Sequence, residues 1–276
     1  VAWRNVSLGR GDKKAAWRVA AVVFAVGAVS WALTASHLPT LFELYVLLNG
    51  LSWVVFQAAF VGLLYLAVEP YVRKHWPDAL ISWLRLVGGR FRDPLVTSHV
   101  LVGVTAGLAL ALVPPAIAWA TGRFTSGTAD VVGLNGTRFF LGLLLGDLNT
   151  SAWFSTGLVL VMVLLRGVAR RTWVADVLFV AILTLPALPN PTSIPGALLS
   201  YVAVVWIIRR FGLLAIVSMG CAKSLVGSMP MAGAGWYAPL AIATPVLVAA
   251  LAAWSLYVIV TSRPGASSRP VSAAQF

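Results

Sequence analysis

Four carboxylates lie in or beside long apolar runs: Glu43, Glu69, Asp147 and Asp176. An ionisable group inside a membrane segment raises transport, proton relay or catalysis as its chemistry. Glu43 opens one apolar run, close to His37, and Glu69 closes the same run, so both read as interface residues. Asp176 sits about one turn inside another run, behind Arg170 and Arg171, and pairing with a neighbouring arginine is the simpler reading. Glu43 and Asp176 stand as the candidate intramembrane polar groups, those a transport pathway would need. Asp147, beside Asn149, reads as a solvated or capping residue. Lys223 falls in a weak apolar run, and its long stem is expected to carry the ammonium to the outer surface.

Enzymatic motifs are lacking. His37, His75 and His99 are separated by non-ligating sequence and carry no HExxH pattern. A serine-centred GxSxG elbow is absent, as are a Walker A loop, a kinase Gly-rich loop, an HRD-type loop and DFG. The single cysteine, Cys221, excludes an internal disulfide framework and a multi-cysteine zinc site. No catalytic, cofactor-binding or metal residue is assigned. Arg10-Gly-Asp12 and the sequons at Asn5, Asn135 and Asn149 are weak signals. Two GxxxG matches, Gly103 to Gly107 and Gly142 to Gly146, allow close helix approach; packing within the chain is favoured over dimerisation.

The elements that position these residues are set by composition. Hydrophobic residues make up 60% of the chain and charged ones 10%, against about 25% charged in an average soluble domain. Mean hydropathy is +0.90. An ordinary soluble or disordered protein is thereby excluded. The expected fold is all-α, a polytopic transmembrane helical bundle. The net charge of +12 reads as basic cytoplasmic loops facing anionic headgroups, with no nucleic-acid role. The chain opens on Val1 and a polar, basic stretch without a cleavable signal peptide, and reads as a piece of something longer.

Apolar runs long enough to cross the hydrocarbon, at 1.5 Å per helical residue, fall near 17–34, 44–68, 100–121, 152–165, 173–187, 196–208, 211–226 and 236–260. Pro114-Pro115 should kink the third. A basic lead-in, 1–16, precedes them, and a disordered tail, 262–276, follows. With eight spans, all of the 20 lysines and arginines except Arg123, Arg138 and Lys223 fall on one side. The positive-inside rule puts that side, and both termini, in the cytoplasm. If the short runs around Arg209-Arg210 form one broken or re-entrant element, the count becomes seven and the C-terminus moves outside.

Two loops carry structure of their own. Within Glu69 to Asp93, Pro77 and Asp78 suit a helix start. Leu80, Ile81, Leu84 and Val87 then follow at helical spacing, Ser82 and Arg85 lie off that stripe, and Gly88-Gly89 can end the helix. This is the pattern of an amphipathic cytoplasmic interfacial helix, with Trp76 and Trp83 near the headgroups and arginines reaching phosphates. Arg73, Lys74, Trp76, Trp83, Arg85, Arg90 and Arg92 are the candidate lipid-facing or coupling residues. In the second loop, Gly122 to Ser151, the apolar run Phe139 to Leu145 is too short to span and suggests an outer interfacial or re-entrant helix.

Several stretches together carry a resemblance. Glu69-Pro-Tyr-Val-Arg-Lys-His-Trp-Pro77 continues into Leu80-Ile-Ser-Trp-Leu-Arg-Leu86 and Gly89-Arg-Phe-Arg-Asp-Pro-Leu-Val96. Arg4-Asn5 and Leu8-Gly-Arg-Gly-Asp12 lie upstream; Arg210-Phe-Gly-Leu-Leu-Ala215 and Trp236-Tyr-Ala238 lie downstream. This order resembles the C-terminal multi-pass membrane region of certain bacterial serine/threonine-protein kinases, in which a kinase domain precedes the membrane part. Thr97-Ser98-His99 departs from the family's pattern. The resemblance implies a membrane-anchoring, signal-sensing domain in the bacterial inner membrane, linked to a cytoplasmic kinase domain. ATP and Mg would belong to that domain, and no cofactor is implied for this chain. A stand-alone transporter or channel is the alternative.

Overall fold

The computed structural model describes residues 12–36, 40–122, 134–169, 171–228 and 238–262. All regular structure among them is helical. Helix α1 spans Lys13–Thr34, α2 Phe42–His75, α3 Ile81–Val87, α4 Pro94–Ala111 and α5 Val113–Thr121. Then come α6 Thr137–Val168, α7 Thr172–Thr184, α8 Ile194–Arg210, α9 Leu213–Ser228 and α10 Ala238–Thr261. Six segments are long and apolar enough to cross a membrane, with α4 and α5 counted as one, and α7 and α9 are shorter apolar helices. Large apolar side chains such as Leu48, Val55, Leu63, Val177, Val202 and Val246 stand exposed around the bundle. Water would not tolerate that surface, and lipid does. The chain is a multi-pass membrane protein.

The contacts between helix ends show how the segments alternate. The Asp12 backbone N–H, at the start of α1, donates to Glu69 near the end of α2. Asp93, before α4, meets Arg85. Arg166 at the end of α6, Asp176 early in α7 and Arg209 at the end of α8 form one cluster. All these ends share one basic end of the bundle. Arg138, at the start of α6, lies at the other, where it donates to the Ala32, Leu33 and Ala35 carbonyls that α1 leaves open. Helices α8 and α9 are separate elements that turn at Gly212, whose φ of +81° suits glycine. The runs around Arg209-Arg210 are therefore two helices and not one broken segment.

Helix α9 explains its own weak hydropathy. It is the central helix, packed by α4, α6, α8 and α10, and Leu214, Ala215, Ile216 and Val217 on it are buried. Its small and polar residues serve contact with other helices rather than with lipid. A Cβ added at Gly103 would run into the Ala215 carbonyl, and one at Gly107 into the Met219 carbonyl. On the other GxxxG, a Cβ at Gly142 would press on Thr34 and Leu33, and one at Gly146 would meet Ser30 Oγ. Both motifs pack helices within the chain, α4 on α9 and α6 on α1.

Three local expectations are corrected. The run Phe139 to Leu145 is no separate outer helix: α6 is continuous over 32 residues. Its polar break survives inside the bundle because its members find partners. Asn149 donates to buried Gln57 at 2.6 Å, and Ser224 donates to Asp147 at 2.8 Å. Glu69 does not begin a loop, because α2 continues to His75. At 34 residues that helix is about 50 Å long, so it outruns the hydrocarbon. The segment after it starts as a 3-10 turn, Pro77–Leu80. That tighter winding rotates α3, so its most buried residues include Ser82 and Trp83. The Pro114-Pro115 kink is present as the break between α4 and α5. His37, residues 1–11 and residues 263–276 lie outside the described residues, so the lead-in and the tail do too, except for Asp12–Ala16 and Ser262.

Candidate functional site

The basic end carries a layer of polar contacts built on the segment that follows α2. Glu69 is fully buried, at 1% exposure. Its carboxylate pairs with Arg73 one turn on, at 2.5 Å, and accepts the Asp12 N–H at 2.9 Å. Asp12 in turn caps α1 by accepting the Ala15 N–H. One buried carboxylate thus ties the start of α1 to the end of α2. An interface residue would not be sealed in this way, and the position of Glu69 at the end of an apolar run gave no sign of it.

Arg85 donates to Asp93 at 2.8 Å, while the other Asp93 oxygen caps α4 through the Leu95 N–H. Arg85 therefore clasps α3 to α4 while its side chain stays 39% exposed. Ser82 shares a 2.9 Å hydrogen bond with the buried His99 on α4, whose ring meets the edge of Phe211. Trp83 lies within the protein core and not at the headgroups. Its burial follows from the rotated start of α3. Lys74, Arg90 and Arg92 remain exposed, and the Arg92 guanidinium lies 5.8 Å over the Trp254 ring. Phe91, between the two arginines, is also exposed.

Asp176 is paired with an arginine, as expected, and its partners are Arg209 and Arg166. Its two oxygens face Arg209 at 2.5 Å and Arg166 at 3.7 Å. Arg166 also lies 4.2 Å over the Trp76 ring, so Trp76 is half enclosed by protein. The cation–π contact offsets part of the cost of holding Arg166 away from water. The four residues join α6, α7, α8 and the turn after α2. Glu43, in the first turn of α2, lies at the other end and takes no part in this cluster.

A second site lies deeper. Lys223 does not reach for the outer surface. Its Nζ donates to Ser200 Oγ at 2.8 Å, and Ser200 donates to the Gly196 carbonyl. Both lie about ten residues, or 15 Å of helix, from the Arg210–Leu213 turn, within α9 and α8. They line a cavity of about 420 Å³ between α5, α6, α8 and α9 that extends to the polar turn Asn190–Ser193. Packing explains why the lysine is held inside: α9 is surrounded, and Lys223 finds a polar partner on α8. Among the described residues, no three His, Cys, Asp or Glu side chains gather as a metal-binding group. Comparison with protein-family models, curated proteins and solved structures finds no match to this chain.

Proposed function

We propose that this chain is the membrane-anchoring and signal-sensing domain of a bacterial inner-membrane serine/threonine-protein kinase, with its basic end in the cytoplasm. The resemblance over Glu69–Val96 carries the kinase link. The observation that supports it is the construction of that same segment. Two polar contacts fix it to the bundle, Glu69 with the Asp12 N–H at the start of α1 and Ser82 with His99 on α4, and Arg85 with Asp93 closes its turn into α4. It still presents Arg90, Phe91 and Arg92 outward. Such a segment transmits a helix movement to whatever it touches, because it is clamped to α1, α2 and α4 together. Anionic headgroups and a linked kinase domain are the partners of this face; ATP and Mg belong to the kinase domain.

Charge reversal at Arg90 and Arg92 tests the coupling. In the full gene product, R90E/R92E is expected to lower phosphorylation output at least about threefold while membrane insertion is unchanged. Unchanged output contradicts it.

The Lys223 cavity favours a second reading, a stand-alone transporter, because it sets a cation in a cavity between apolar helices. In vesicles, uptake of an organic anion abolished by Lys223→Met would favour this reading over the first.

A further inference from the structure

The kinase reading makes no use of the one charged residue in the cavity between α5, α6, α8 and α9. Among the described residues, no carboxylate lies within ion-pair reach of Lys223, and its one protein hydrogen bond is to Ser200 Oγ. An ammonium has three donors. Held inside the bundle with no acidic partner among the described residues, it carries a desolvation cost. The cavity beside it, about 420 Å³, is within the ordinary size range of small-molecule sites. Phe154, Leu158 and Ile117 supply apolar wall; Ser155 and Tyr201 supply hydroxyl-bearing side chains.

We propose that this cavity binds an organic monocarboxylate, its carboxylate on Lys223 and its apolar body against Phe154 and Leu158. The charge count selects the class. The lining contains one cation and no arginine, histidine or acid, so it balances one negative charge. A phosphate dianion would bring an excess charge into a low-dielectric site. The polar Asn190–Ser193 turn gives a route from the outer aqueous side, and the bilayer gives a route for a fatty acid. The proposal stands apart from the kinase link, since it concerns only what the bundle holds.

The test uses the purified full chain in lipid nanodiscs and three probes. 4-Phenylbutyrate represents a water-soluble acid, laurate a bilayer-borne acid, and 4-phenylbutanol the uncharged control. Saturable binding is expected for at least one acid, and 4-phenylbutyrate should bind about tenfold or more tightly than the alcohol. Whichever acid binds more tightly identifies the source. Lys223→Met should weaken acid binding about tenfold, and Lys223→Arg should restore most of it. A measurement on the unaltered protein guards against a variant that does not fold. A saturating dose of whichever acid binds should slow reductive methylation of Lys223, read by mass spectrometry, while exposed Lys74 reacts as before. The proposal is overturned by any one of three results: no saturable binding of either acid, equal binding of acid and alcohol, or no protection of Lys223.

Discussion

Arg209 and Asp176 meet at 2.5 Å although 33 positions separate them in the chain. Arg166 approaches the same carboxylate from α6. Two guanidiniums therefore share one acid at the basic end. Removing the acid leaves like charges facing each other in a partly enclosed place. Asp176→Ala is expected to destabilise the bundle by about 1–3 kcal/mol, less than for a fully buried pair because Arg209 is part-exposed. Asp176→Leu combined with Arg209→Met should recover much of the loss. Unfolding in mixed detergent micelles measures both, and a double variant no better than the single one contradicts the pairing.

Glycine positions give an internal contrast. Gly103→Val puts a side chain against the Ala215 carbonyl on α9 and should cost about 1–3 kcal/mol. Gly157 on α6 has open space around it, so Gly157→Ala should be neutral or gain up to about 1 kcal/mol through helix propensity. Equal effects at the two sites would mean that α4 and α9 do not pack backbone to backbone.

Asn149 and Gln57 form a buried amide pair between α6 and α2. Polar pairs within membranes couple by about 0.6 kcal/mol on average and up to about 1.7. A double-mutant cycle with Asn149→Leu and Gln57→Leu should return a coupling in that range. A coupling of zero would place the two amides apart.

The sidedness is testable through Cys221, the one cysteine. On a Cys221→Ala background, Phe91→Cys at the basic end should react with a membrane-impermeant maleimide only after the cells are opened. Thr40→Cys, at the start of α2, should react in intact spheroplasts. The reverse pattern would invert the proposed orientation.

Much of this architecture was legible because a spanning helix announces itself by length and hydropathy alone. The ends of α7, α8 and α10 lie within a few residues of the apolar runs near 173–187, 196–208 and 236–260. What escaped depended on partners distant in sequence. A window crossing Asp147 to Ser151 registers a polar break, yet Gln57 and Ser224 receive those side chains and α6 runs through. Asp176 was expected to pair nearby, and only the α7–α8 hairpin brings Arg209 to it. Lys223 was visible as an intramembrane charge, but its direction depended on α9 being central. The low hydropathy and small residues of α9 were the available clue. The GxxxG pairs are legible as internal contacts because small residues at that spacing have a simple steric meaning.

The kinase link is the central claim, and the coding DNA upstream of Val1, read in the same frame, tests it most directly. The account predicts an open frame that encodes a Gly-rich loop, a lysine, an HRD-like loop and DFG ahead of this domain. A start codon close to Val1 with no kinase before it would contradict the claim.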